Sequence, residues 1–413
     1  MNLIYSGVFL VTYTTFFQGA DAGSDSITGP RKVCYFTNWA YQDSSTPFTP
    51  EDIDFSLCNF IVYADFGLDE NTMTIQSKDP FSDFGANGGL DLISRVISAA
   101  NTTNTPVLAT VGGGGDNQRE FSILSTSNET IQDAFVNHTV TFLTQYGFKG
   151  LSLDYEFPER TDNEIQDKIK SGNEEKVGFS NLIKKLRTEF DKHSFYLVAN
   201  VDIDAANIEA NYEPKVLNEN LDWLELLSYD YNCGFEDNVG LVAPLISYGN
   251  EKATNNVKAS VEAWLSKGVA PGKLLLGVPF YGASYKLEDK TKHSIGSVAS
   301  DVGLNDGTLY YHEICELKKE GWTVVNSENG TPIGGSYAYK EDDWVGFDDL
   351  ADVQAKAEYI REKQLAGYAA FTLDGDDYKG DKCGVGKYPL LSTLSKSLTE
   401  GQQDTLTATP GVL

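Results

Sequence analysis

The run Gly150-Leu151-Ser152-Leu153-Asp154-Tyr155-Glu156-Phe157-Pro158 alternates apolar and polar residues. A strand has a period of two, so Ser152, Asp154 and Glu156 share one face. Two carboxylates two residues apart on one face repel each other, and one of them holds its proton toward neutrality. A neutral carboxyl beside a charged one is what general acid catalysis requires. A D-x-E pair is also a common solvated pattern in acidic proteins. Its position at a strand end, just before Pro158, favours the catalytic reading.

Outward from this run, short apolar and β-branched stretches recur: Lys32–Phe36, Cys58–Tyr63, Pro106–Val111, Gly150–Asp154, Phe195–Val201, Trp223–Tyr229, Lys273–Pro279 and Gly367–Leu373. Between them, Leu90–Ala100, Ile131–Gln145, Val177–Glu189, Val257–Ser266, Leu350–Lys363 and Leu390–Leu398 carry apolar residues at helical spacing. Eight strands alternating with helices predict an α/β fold, a (β/α)8 TIM barrel with active-site residues at the C-terminal strand ends. A doubly wound sheet is the rival, but Lys32–Trp39 offers no glycine-rich phosphate loop. The alternation breaks between Tyr285 and Trp344, too long a gap for an ordinary loop. It predicts a small α+β subdomain at about 286–343, inserted between strand 7 and helix 7. The barrel is expected over 30–398 and a flexible tail over 399–413.

The chain has 413 residues, 41% of them hydrophobic and 12% aromatic, enough for a large core. A net charge of −28 argues against nucleic acid and anionic membranes as partners. Residues 3–17 are largely apolar and uncharged and lead to Gly19-Ala20-Asp21-Ala22, so 1–22 reads as a signal peptide. No Lys or Arg precedes that run; a signal anchor is the alternative. Sequons at Asn101, Asn128, Asn137 and Asn329 fit a secreted, extracellular glycoprotein. Five cysteines (Cys34, Cys58, Cys233, Cys315, Cys383) allow two disulfides and one thiol in an oxidising compartment. Neither they nor the four histidines have metal-ligand spacing, so no metal and no cofactor is expected.

The segment from Lys149 to Glu156 resembles the D-G-x-D-x-D-x-E signature of glycoside hydrolase family 18, the chitinases and chitinase-like lectins. Further likenesses follow in order: Lys32–Ala40, Phe48–Ala64, Leu226–Asp230, Gly277–Tyr285, Tyr310–Cys315 and Trp344–Asp349. The resemblance implies disulfides Cys34–Cys58 and Cys315–Cys383, leaving Cys233 unpaired. It also implies substrate-assisted retaining hydrolysis, in which the sugar's N-acetyl oxygen is the nucleophile. Glu156 would then be the acid, Asp154 would hold the acetamido N–H, and Tyr229 would hydrogen-bond the acetyl group, with Asp230 as a further polar contact. Tyr35, Trp39, Tyr281 and Phe371 would contact sugar, with barrel packing an equal alternative for Tyr35.

The sequence departs from that pattern at several points. Lys149 replaces the first signature Asp, and Ser152 the second, the buried partner of the Asp154 position. Gly114 and Phe371 stand where the family has Trp, Ala283 where it has Arg, Thr110 where it has Ser, and Leu227 where it has Met. Three functions follow: a secreted chitinase-like hydrolase of β-1,4-linked N-acetylglucosamine; a catalytically impaired lectin for chitooligosaccharides; and a secreted signalling or defence protein with a vestigial pocket. The expected partners are chitin, chitooligosaccharides or other N-acetylglucosamine glycans, bound by a monomer free of membrane in its mature form.

Overall fold

The computed structural model describes residues 29–42, 47–113, 117–155, 172–249, 253–328 and 330–406. Eight parallel strands form its centre: β1 (Arg31–Thr37), β2 (Phe60–Leu68), β3 (Val107–Gly112), β4 (Gly150–Asp154), β5 (Tyr196–Val201), β6 (Trp223–Leu226), β7 (Leu274–Pro279) and β8 (Gly367–Phe371). Each pairs with the next, and β1 pairs with both β2 and β8, so the sheet closes into a (β/α)8 TIM barrel. Both faces of each strand are buried, which is why the strands read as apolar runs. Val33, Val62, Leu108, Val198, Trp223, Leu275 and Ala369 fill the interior. Phe36, Ile61, Leu151, Leu153, Leu197, Leu224 and Leu276 face the surrounding helices.

Local signals fix the helix ends. Asn128 caps helix Glu129–Tyr146 by accepting from the Ile131 N–H, and Gly147 ends it in the left-handed region at φ 85°. Asp349 and Asp352 form a capping box at the start of helix Leu350–Lys363. After β7 the chain builds a six-stranded antiparallel sheet from strands between Tyr281 and Phe347, with helix Tyr311–Lys319 beside it.

Three sequence expectations differ in extent. β2 runs on to Leu68, because its end pairs antiparallel with Ile75–Ser77. β6 stops at Leu226, where the Ser228 and Tyr229 N–H groups bond carbonyls two residues back and turn the chain. The last helix, Pro389–Leu406, enters the stretch expected as a tail. Residues 1–28 and 407–413 lie outside the described residues.

Both disulfides implied by the resemblance are present, Cys34–Cys58 and Cys315–Cys383, and Cys233 takes part in neither. The inserted sheet is joined to the barrel by a buried ion pair between Asp348, at the sheet's exit, and Lys356 of the next helix. Removing one partner strands the other charge in the core. Asp348→Ala should therefore cost about 3–5 kcal/mol, and Asp348→Leu combined with Lys356→Met much less. Urea unfolding midpoints of the two variants check this.

Candidate active site

Tyr155 sets the facing of the fourth strand's end. Its ring stacks on Phe121 at 5.2 Å and meets Phe179 edge-on, and its hydroxyl donates to Glu175. With Tyr155 held among the helices, the alternation turns Asp154 inward at the C-terminal mouth of the barrel. Glu156, the expected acid, lies outside the described residues, as do Gly114 and Asn329.

The neighbouring strand end is fitted to Asp154. Gly112 has φ 114°, and a Cβ there would stand 2.2 Å from the Asp154 carbonyl oxygen, so only glycine fits. The Gly113 N–H donates to that carbonyl at 3.0 Å. A Cβ on Gly113 would touch the Oδ2 atoms of both Asp65 and Asp154, at 3.1 and 3.6 Å. Two carboxyls therefore flank this backbone. Lys78 Nζ donates to Asp65 Oδ2 at 2.8 Å and to the Gly112 carbonyl at 3.1 Å. Burial pushes the Asp65 carboxyl up, and the Lys78 ammonium opposes it.

Aromatic rings gather at the other side of the mouth. Phe371, at the end of β8, stacks with Tyr229 at 5.7 Å and contacts Tyr35 at 5.3 Å and Tyr281 at 6.4 Å. Tyr281 donates its hydroxyl to Asp230 Oδ1 at 2.7 Å. Asp230 adopts φ 56°, a conformation that Asp tolerates. Trp39 lies in the turn after β1 and is 37% exposed. That turn is anchored by Asn38, which donates to the buried Asp83 carboxylate at 3.0 Å. The structure thus brings Tyr229, Asp230, Tyr281 and Phe371 into one cluster, with Trp39 on the exposed rim after β1.

Tyr35 is only 2% exposed, and its hydroxyl turns down into the barrel. It reaches Glu225 Oε2 at 2.5 Å and Asn200 Oδ1 at 3.2 Å. The Trp223 indole N–H donates to Glu225 Oε1 at 2.8 Å. Glu225 was not anticipated from the sequence. Its signal is an acid at an inward position of an otherwise apolar strand, Trp223-Leu224-Glu225-Leu226. Burial pushes its carboxyl up to about 7; hydrogen bonds from Tyr35 and Trp223 oppose this, and the Asp154 charge adds to it. Asp65 and Lys78 were also missed, since nothing in sequence spacing brings them to Gly113.

Ser152 and its register partner Thr110 are fully buried one layer below Asp154. Among the described residues, neither hydroxyl has a hydrogen-bond partner. Ala283 and Leu227 pack in the apolar cluster beside Tyr229. Asn101, Asn128 and Asn137 are exposed, the first and last within helices and Asn128 as a cap. No group of three or more His, Cys, Asp or Glu among the described residues could hold a metal ion, and no described helix is long and apolar enough to cross a membrane.

Glu225 carries a stability prediction. Its folded value of about 7 exceeds its ordinary 4.5, so the folded chain binds the extra proton between these limits. The group favours folding most at acidic pH, and that contribution is lost as pH rises toward 7. Glu225→Gln should therefore flatten part of the fall in melting temperature across this window. Thermal unfolding of both proteins at a series of pH values checks it.

The family model for glycosyl hydrolases family 18 matches residues 31–376. The Drosophila melanogaster protein "Probable chitinase 10" is 35% identical over 376 residues, spanning 89% of this chain and 16% of that protein. Chitotriosidase-1 of Mus musculus is 31% identical over 388 residues, 89% of this chain and 77% of its own length. Catalytic domain 2 of the Ostrinia furnacalis Group II chitinase superposes with a TM-score of 0.81 at 36% identity, covering 89% of this chain and 95% of that one. Human YKL-39, a pseudo-chitinase with retained chitooligosaccharide binding, superposes with a TM-score of 0.79 at 27% identity, covering 90% and 100%.

Proposed function

The chain belongs to glycosyl hydrolases family 18, and on that premise we propose that it is a secreted hydrolase of β-1,4-linked N-acetylglucosamine polymers, acting by substrate-assisted retention. The observation that carries this reading is the position of Asp154. It faces inward at the C-terminal mouth of the barrel, on the same face as the Phe371, Tyr229 and Tyr281 rings. A sugar needs a flat apolar floor and a carboxylate beside its acetamido group, and this face offers both.

In this reading Glu156 donates its proton to the glycosidic oxygen and later takes one from water. The acetamido oxygen of the bound sugar attacks the anomeric carbon, closing an oxazolinium ring. Asp154 accepts the acetamido N–H and stabilises the positive charge. Tyr229 donates to the acetyl oxygen, and Tyr281 holds Asp230 in place beside it. Phe371 is the floor beneath the reacting sugar, and Trp39 extends the stacking surface outward. Tyr35 acts from below, by supporting Phe371. The two disulfides favour an oxidising, extracellular setting.

A lectin is the second reading. It is favoured by the unpartnered Ser152 and Thr110 hydroxyls, where a carboxyl partner is missing, and by Ala283 packed in an apolar cluster.

Hydrolysis of chitotetraose to chitohexaose, with products resolved by mass, separates the two. The hydrolase reading expects cleavage that falls at least about a hundredfold in Glu156→Gln. Binding in both proteins without cleavage in either overturns it in favour of the lectin. Phe371→Ala should weaken oligosaccharide binding about threefold to tenfold, measured by titration calorimetry.

A further inference from the structure

We propose that Glu225 is a positioning residue that takes over, from two strands away, the proton-holding role for which position 152 has no carboxyl. This rests on the hydrolase reading above, and it starts from a count of protons. The Tyr35 hydroxyl has one hydrogen, yet it lies within bonding distance of two buried acceptors, Glu225 Oε2 and Asn200 Oδ1. With Glu225 ionised, the single proton serves one acceptor and leaves the other unmet. With Glu225 protonated, its O–H donates to the Tyr35 oxygen and the Tyr35 O–H donates to Asn200. Both bonds are then made, and the Trp223 N–H satisfies the remaining carboxyl oxygen. With the Asn200 oxygen turned toward Tyr35, both bonds are made when Glu225 carries a proton. Each member is buried: Glu225 is 1% exposed and Asn200 and Tyr35 are 2% exposed.

The strand register links this network to the mouth. Leu153 pairs with Ala199 and Ala199 with Leu224, so Asp154, Asn200 and Glu225 follow one another along an inward-facing row of register partners on β4, β5 and β6. Ser152 and Thr110, one layer below, present hydroxyls without partners. They therefore supply no charge and no proton to Asp154. The titratable groups around Glu225 are Tyr35 from β1, Asp154 from β4, Tyr196 deeper on β5, and Tyr229 after β6. β2, β3, β7 and β8 turn apolar Val62, Leu108, Leu275 and Ala369 inward.

The consequence for the reaction is electrostatic. A protonated Glu225 adds no second negative charge to the row that Asp154 heads, and Asp154 accepts the acetamido N–H and faces the oxazolinium cation as a carboxylate. Losing the Glu225 proton leaves the Asn200 oxygen without its donor and sets a second negative charge two strands from Asp154, so the two carboxylates repel each other. Asp154 keeps its charge but is pushed from the position in which it accepts the acetamido N–H. The effect appears as an alkaline limb in the rate.

The experiment uses infrared difference spectra of the full chain, native minus Glu225→Gln. The expected result is a protonated-carboxyl band that disappears on titration toward alkaline pH. In the same comparison made with Asp154→Asn in both proteins, the midpoint should fall by about one pH unit, because a like charge is gone. In hydrolysis assays, Glu225→Gln should keep kcat within about threefold in the acidic range and move the alkaline limb upward. Ser152→Asp added to it should restore an alkaline limb. Absence of the band from native protein, or a midpoint indifferent to Asp154→Asn, overturns the proposal whether or not the chain hydrolyses. A Glu225→Gln rate profile that superimposes on the native one also overturns it. The band and its coupling to Asp154 without any turnover support the shared proton and sink the hydrolase reading alone.

Discussion

β1 hydrogen-bonds to β2 on one side and to β8 on the other, and this double pairing closes the sheet. A closed sheet has no free edge, and its interior must be filled by its own side chains. Every second residue on eight strands is thereby committed to the inside. Toward the N-terminal end the choice is apolar, with Val33, Phe60, Leu108 and Val198 in contact. Toward the mouth polar groups enter: Thr110, Ser152, Asn200, Glu225 and Asp154. The chemistry is confined to the one region where closure leaves polar atoms facing each other and a ligand.

Closure also makes those polar groups expensive. A buried donor or acceptor without a partner costs about 1–3 kcal/mol, and a buried charge more. The Tyr35, Asn200, Glu225 and Trp223 network meets that cost by satisfying its members with one another. Ser152 and Thr110 do not meet it. A carboxyl at 152 could accept from the Thr110 hydroxyl, its register partner. The absence of a carboxyl at 152 and the presence of Glu225 amount to one rearrangement of charge, from β4 to β6.

Much of the architecture was legible because barrel strands are buried on both faces and announce themselves as apolar runs; Gly150–Asp154 agrees residue for residue. Strand ends were less legible. β6 terminates through two tight turns at Ser228 and Tyr229 that no apolar pattern records. Motif likeness named Asp154, Tyr229, Asp230, Tyr281 and Phe371, since these lie within contiguous segments. It did not find Glu225, Asn200, Asp65 or Lys78. Their meaning comes from strand register and from side chains far apart in sequence: Tyr35 and Glu225 are separated by 190 positions. Tyr35 shows the difference most clearly. Its motif left sugar contact and barrel packing equally open, and its hydroxyl points into the core, to Glu225 and Asn200.

The departures from the family pattern therefore fall into two physical classes. Phe371 changes the floor that a sugar would touch, so it acts on affinity through lost area and a lost donor. Ser152 and Glu225 change where a proton resides, so they act on the charge of Asp154 and leave contact area untouched. The two classes act on different steps. A weaker wall raises the sugar concentration needed for occupancy and leaves the proton count unchanged. A displaced carboxyl changes the pH range over which an occupied site can react. The chain can therefore be poor at the first and competent at the second. The proton held by Glu225 against Tyr35 thus bears on the pH range of the reaction, and the aromatic floor bears on occupancy.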